Sequence, residues 1–294
     1  MLKLPQVSFI VTSYNYEKYI LKTLESIKSQ TYTNFEIIVV DDCSKDNSCE
    51  IIEQFISDNQ DLKITLIKHE QNKGQLAAMI SGLKIAQGQF VSFIDSDDIL
   101  MPDYAQTHIR VHLQTSVAFT SCQIMEIDGD DEIHTLCSIS SPAYNKDEML
   151  KQVQDDIENP SQTFFNIVKK HFGGWYWSPN SSAMFRKSSI ELILNYKNTD
   201  TWRICPDKFL FNFAHLIGGS AIIYKPLAAY RRHKNNAGNC TLVTGNKKLH
   251  NDKTTIINIQ NNLKIRPETI KFLWQERKNL GYRNTLNLIL KIFY

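Results

Sequence analysis

The stretch Phe90-Val91-Ser92-Phe93-Ile94-Asp95-Ser96-Asp97-Asp98 decides how the rest of the chain is read. Its apolar, β-prone first half lies between Gly88 and Pro102 and has the pattern of a buried strand. The strand runs straight into Asp95, Asp97 and Asp98. Carboxylates just past such a strand stand at the carboxyl edge of a sheet, where open α/β sheets bind their ligands. Anions packed this closely repel one another unless a positive group shares the site. A divalent cation, Mn2+ or Mg2+, takes oxygen ligands and can bridge a diphosphate, which meets that need. A solvated Asp-rich turn is the plainer alternative, and the surrounding chain argues against it.

Upstream, strands are expected at residues 7–12, 35–40 and 62–68, and helices at 17–30, 47–55 and 75–86. Alternating strands and helices with short links predict an α/β fold: a mostly parallel sheet with helices on both faces. Three strands end in polar loops, namely Thr12-Ser13-Tyr14-Asn15, Asp41-Asp42 and Asp95-Ser96-Asp97-Asp98. In a parallel sheet these carboxyl ends converge on one crevice. Their side chains complement a nucleoside diphosphate. Tyr14 suits stacking on a base, Asp41 accepting a base N–H, and the Asp95 cluster holding a cation on the phosphates. Thr12, Asn15, Ser96 and Lys73 complete the nucleotide-facing set. Each has a structural alternative: a half-buried aromatic for Tyr14, a helix cap for Asp41, a solvated charge for Lys73. The chain contains neither G-x-x-x-x-G-K nor G-x-G-x-x-G, which argues against P-loop and dinucleotide-binding enzymes.

The 294 residues, 42% hydrophobic and 22% charged, describe a globular chain able to bury a substantial core. A net charge of +2 gives no argument for a nucleic-acid partner. Six cysteines without a C-x-x-C pair fit reduced, structural thiols and a cytoplasmic location. No run approaches the roughly 18 apolar residues of a spanning helix.

The segments Val7-Ser8-Phe9-Ile10-Val11-Thr12-Ser13-Tyr14-Asn15, Gln30-Thr31-Tyr32 and Glu36-Ile37-Ile38-Val39-Val40-Asp41-Asp42-Cys43-Ser44 together resemble the GT-A glycosyltransferases of family 2. Asp95-Ser96-Asp97-Asp98 is similar to that family's D-x-D signature. The resemblance is tight over residues 6–110 and looser over 175–240. It departs after Gly74, where Gln75-Leu76-Ala77-Ala78-Met79 stands in place of the family's frequent Ala-Arg-Asn. The resemblance implies a GT-A sheet, a nucleoside diphosphate sugar donor (UDP favoured), a glycan or lipid-linked hydroxyl acceptor, and inversion at the anomeric carbon. It also implies a general base at the start of a helix, matched here by Asp207 with Asp200 as runner-up. The family's late Tyr-Arg-x-His motif is matched by Tyr230-Arg231-Arg232-His233. It implies His233 beside Asp97 at the metal and Arg231 or Arg232 on phosphate.

Residues 1–102 are read as the nucleotide-sugar half, and 103–240 as the acceptor half of the same domain. Within the latter, 128–172 is an insertion; 241–294 is a mobile loop followed by a C-terminal helical extension. His108 and His112 read as surface histidines, because no Glu completes a zinc motif. Gly173-Gly174-Trp175-Tyr176-Trp177 reads either as an acceptor-stacking platform at Trp175 and Trp177 or as core packing. The basic, aromatic-containing C-terminal helix suits either a peripheral contact with an anionic bilayer or a homodimer. A catalytically inactive nucleotide- or sugar-binding module of the same fold is the rival to an active transferase.

Overall fold

The computed structural model describes residues 4–135, 163–168, 177–233, 243–244, 247–248 and 252–293. Four strands, β1 (Val7–Ser13), β2 (Phe35–Asp41), β3 (Ile64–Lys68) and β4 (Phe90–Asp95), pair in the order β3-β2-β1-β4, all parallel. The short β5 (Ile99–Leu100) follows, then β6 (Phe119–Ile127), β7 (Ile133–Thr135), β8 (Phe165–Val168), β9 (Ala183–Arg186) and β10 (Ser220–Arg231). The sheet continues from β4 through β9, β6 and β10 to β5. β9 is antiparallel to both neighbours, whereas β6 and β10 run parallel. The sheet is therefore mixed, with a parallel N-terminal half and a mixed second half.

Register fixes the level of the polar loops. Thr12 lies opposite Asp95, and Ser13 opposite Asp41. Side-chain alternation then sorts the strands onto two cores. Phe9, Val11, Ile37 and Val39 pack with Ile20, Leu24 and Ile27 of α1 (Ile20–Lys28) and with Ile52 and Phe55 of α2 (Ser48–Asp58). The intervening Ile10, Ile38 and Val40 meet Leu76, Met79 and Leu83 of α3 (Gln75–Ile85) on the opposite face. This opposite core also takes α5 (Asp207–Gly218) and the C-terminal α6 (Asp252–Gln275).

Gln30-Thr31-Tyr32 ties the acidic loop to the far end of α1. Gln30 donates to Met101 O at 2.8 Å and accepts the Ala105 N–H at 3.0 Å, where α4 (Tyr104–Gln114) begins. Thr31 N–H donates to Pro102 O at 2.8 Å.

One expectation changes. His108 and His112 are buried, not superficial: His108 Nδ1 lies 2.6 Å from Thr120 Oγ1, and His112 Nε2 lies 3.0 Å from Met184 O. Their i, i+4 spacing aims both inward from α4, and burial depresses both imidazole pKa values. Tyr230 and Arg231 of the late motif lie in β10, which runs unbroken to Arg231 past bulges flanking Pro226. The C-terminal helix begins at Asp252 and passes through Pro267. Most of the 128–172 insertion and of the 234–255 loop lies outside the described residues.

Gly82 marks the tightest helix–sheet approach: a Cβ there would lie 2.4 Å from Ile10 Cγ2. Gly82→Ala is expected to destabilise the protein by about 1–3 kcal/mol through overpacking, measured as a lower denaturant midpoint with an unchanged slope.

Candidate active site

The carboxyl edge of the parallel strands opens into a cleft of about 530 Å3, in the range of a small-molecule site. Thr12, Tyr14, Asn15, Asp95, Ser96, Asp97 and Asp207 all line it. Tyr14 is 43% exposed, leaving its ring open to a ligand. Asn15 takes a left-handed backbone (φ 62°), and its side-chain oxygen accepts the Lys45 N–H at 2.7 Å. That bond braces the loop against the one following β2. Left-handed backbone at a non-glycine residue is tolerated best by asparagine.

Four carboxylates gather on the acidic side of the cleft. Asp95 Oδ1 accepts from Gln75 Nε2 at 2.8 Å and from Asn180 Nδ2 at 2.9 Å. Burial, then the charges of Asp97 and Asp207, push its carboxyl up to about 7, despite those two bonds. Asp97 Oδ2 lies 2.9 Å from His233 Nε2. Asp98 points inward and accepts the Arg231 backbone N–H at 3.1 Å. Burial also raises Asp98 well above the ordinary carboxylate range. Asp207 opens α5 and accepts the Lys208 N–H at 3.0 Å, yet burial raises its pKa too. The helix N-terminus favours the ionised form and desolvation opposes it; desolvation dominates here.

Several expected contacts fall elsewhere. Asp41 is buried, and its carboxylate is held by the Ser44 N–H (2.8 Å) and hydroxyl, so it closes a turn and does not line the cleft. Lys73 is exposed and outside the lining. Arg231 is buried, not free for phosphate. Its guanidinium donates to Asp97 O and Asp128 O, each at 2.8 Å, pairs with Asp131, and stacks on Tyr19 at 4.8 Å. Arg232 pairs with Glu126 and stacks on Tyr230 at 5.1 Å. Both arginines thus hold the acidic loop and β10 in shape. Trp177 is 2% exposed, donates to Ser220 Oγ at 2.9 Å and packs on Phe119 and Phe211, so it offers no stacking platform. Trp175 lies outside the described residues. Asp200 is on the surface, paired with Arg203 at 3.1 Å, so of the two base candidates Asp207 is the one that lines the cleft.

Reading the sequence missed the contacts that join the two sides of the cleft. Asp42, not Asp41, latches the loop before α3, accepting the Lys73 N–H at 2.8 Å and the Gly74 N–H at 2.7 Å. Gly74 (φ 90°) lies against Arg203, whose Cα would be 2.7 Å from any Cβ placed there. Gln75 N–H then donates to Arg203 O at 2.9 Å, and Arg203 donates to Asn72 O at 3.0 Å. Among the described residues, Arg203 is the one Lys or Arg lining the cleft. The only signal available was the replacement of Ala-Arg-Asn after Gly74, which left room for a cation from elsewhere.

Among the described residues, no three His, Cys, Asp or Glu side chains form a ready-made metal cage. The paired Asp97 and His233, with Asp95 beside them, nevertheless fit a divalent ion that takes its remaining ligands from a substrate. Among the described residues, no helix is long and apolar enough to cross a membrane.

The glycosyl transferase family 2 model matches residues 8–193, more than half of the chain. The chain belongs to that family, and the fold is GT-A. Among its relatives is a putative glycosyltransferase EpsH of Bacillus subtilis, 30% identical over 78% of this chain and 61% of that protein. Another is the Escherichia coli UDP-Glc:alpha-D-GlcNAc-diphosphoundecaprenol beta-1,3-glucosyltransferase WfgD, 33% identical over 48% of this chain and 54% of that one. The crystal structure of Staphylococcus aureus TarS 1-349 superposes with a TM-score of 0.56 at 17% identity. That match covers 98% of this chain and 70% of the TarS chain. The chain spans less than two thirds of the length of these curated relatives.

Asp95→Asn removes the buried charge and keeps an oxygen for the Gln75 and Asn180 amides. Because the folded pKa of Asp95 is raised, its stabilising contribution is complete below the ordinary carboxylate pKa and fades as pH rises toward about 7. The ligand-free variant should therefore match the parent near pH 4 and exceed it above pH 7, by on the order of 1–3 kcal/mol. Thermal melts across pH measure the divergence.

Proposed function

We propose that this transferase moves a sugar from a nucleoside diphosphate sugar, with UDP as the favoured nucleotide, to a hydroxyl of a bacterial surface glycan or its lipid-linked precursor, inverting the anomeric centre. The observation that carries this reading is the placement of Asp207 in the same cleft as Asp95 and Asp97, with His233 bonded to Asp97 from outside the lining. One group suits the acceptor and the other suits the departing diphosphate. The names of relatives point the same way. WfgD is described as using UDP-Glc and a diphosphoundecaprenol acceptor, and TarS has been crystallised with UDP-GlcNAc.

In this mechanism Tyr14 stacks on the base while Thr12, Asn15 and Ser96 shape the floor beneath the ribose and diphosphate. Asp97 and His233 would hold a divalent cation, Mn2+ or Mg2+, with Asp95 beside them. When bound, that ion supplies charge neutralisation to the leaving diphosphate. Arg203 adds the positive charge that the buried Arg231 and the paired Arg232 do not bring to the cleft. Asp207 accepts the acceptor hydroxyl's proton as its oxygen attacks the anomeric carbon. Burial makes Asp207 a stronger base than an exposed aspartate, and Lys208 N–H fixes its orientation.

Asp207→Asn should lower transfer by roughly 10²–10⁴-fold while leaving nucleotide binding within about twofold, as judged by thermal stabilisation with UDP. The acid limb of the parent's rate profile should sit above the ordinary carboxylate range and vanish in the variant. Undiminished turnover by Asp207→Asn would remove the residue from this role. Configuration at the product's anomeric carbon, read by NMR, separates inversion from retention.

A further inference from the structure

The C-terminal helices carry two apolar faces, and only one is used by the core. In α7 (Tyr282–Leu290), Thr285 and Leu288 are buried, and Ile292 just beyond the helix joins them. Tyr282, Leu286 and Leu290, spaced one turn apart, lie on another stripe that continues to Phe293. With Trp274 at the end of α6 these side chains are between 48% and 64% exposed. They belong to one surface, because the Arg277 guanidinium sits 5.1 Å from the Trp274 ring centre and 6.0 Å from that of Tyr282. Isolated exposed apolar residues need no explanation, but a row of them joined to aromatic neighbours does.

The exposed charges of this segment share one sign. From residue 264 to 293 the exposed charged side chains are Lys264, Arg266, Lys271, Lys278, Arg283 and Lys291, all cationic, with Arg277 half-buried. The acidic side chains of this segment are turned inward. Glu268 accepts from Tyr196 at 3.0 Å and Lys271 at 2.9 Å, and Glu276 accepts from Asn195 at 3.0 Å. An apolar aromatic stripe on a segment whose exposed charges are all cationic matches an anionic bilayer surface, where rings and aliphatic chains enter the headgroup boundary and Lys and Arg meet lipid phosphates.

We propose that Trp274, Tyr282, Leu286, Leu290 and Phe293, with Arg277, Lys278, Arg283 and Lys291, dock the protein peripherally on an anionic lipid membrane. The surface is mechanically tied to the catalytic side. Phe272 of α6 packs at 5.3 Å on Tyr196 and at 5.2 Å on Phe213 of α5, the helix that begins with Asp207. A protein docked this way holds the Asp207 helix close to the plane in which a lipid-linked acceptor resides. The docking itself is independent of the proposed chemistry, so it is tested by binding alone.

Co-sedimentation of the purified chain with phosphatidylethanolamine vesicles containing phosphatidylglycerol, against pure phosphatidylcholine vesicles, reads it directly. The parent should pellet with the anionic vesicles and leave them as salt rises. Leu286→Glu/Leu290→Glu should bind about tenfold more weakly or worse, and each of Arg283→Gln and Lys291→Gln about fivefold more weakly. Thermal melts confirm that each variant is folded, and the two glutamine variants, being fully exposed changes, keep the test decisive if the double glutamate variant is not. A parent that stays in the supernatant with anionic vesicles overturns the proposal. So does vesicle binding that the folded variants retain in full. So does a concentration-dependent dimer, seen by light scattering, that Leu286→Glu/Leu290→Glu abolishes while vesicle binding persists.

Discussion

Desolvation of a carboxylate cluster, reinforced by repulsion among Asp95, Asp97 and Asp98, is the constraint around which the molecule is arranged. Asp95, Asp97, Asp98 and Asp207 meet where parallel strands end, and Asp95, Asp98 and Asp207 are driven toward their protonated forms by burial. Left alone, such a cluster is destabilising at neutral pH. On the proposed function, a donor diphosphate with its cation is the partner that would offset this cost.

Much of the surrounding structure holds that cluster in place. Arg231 threads beneath the acidic loop, taking Asp97 O and Asp128 O while its own N–H reaches Asp98. Gln30 and Thr31 fasten the chain just beyond the loop to the end of α1. Asp42 sets the loop before α3, which Arg203 couples to the segment leading into Asp207. The two sides of the cleft therefore share a backbone contact beside Gly74, a position that leaves no room for a side chain.

The parallel half of the fold was legible because its information is local. Period-two alternation along residues 7–12 and 35–40 sets which face meets which helix, and polar residues at the strand ends announce the crevice. That Asp95, Asp97 and Asp207 share one cleft, with His233 beside Asp97, was legible because their motifs occur in order. What was hidden depended on orientation across long sequence separations. Nothing local distinguishes Asp41, turned into its own loop, from Asp42, turned toward residues 73 and 74. Arg231 carries the same charge in a solvated turn or a buried clamp, and only the path of β10 decides. Trp177 between glycines and a proline reads equally as platform or core until Ser220 and Phe211 are seen around it. His108 and His112 were misread because their helical spacing was weighed only for metal, not for which face α4 buries.

The most direct test of this account is the thermal stabilisation conferred by UDP in the presence of Mn2+ or of EDTA, measured on the parent protein and on Asp97→Asn. Stabilisation that requires the cation in the parent and is largely lost in Asp97→Asn is the predicted result. Equal stabilisation by UDP with Mn2+ and with EDTA, unaltered by Asp97→Asn, would contradict the claim that these carboxylates are gathered for a cation-bound nucleotide.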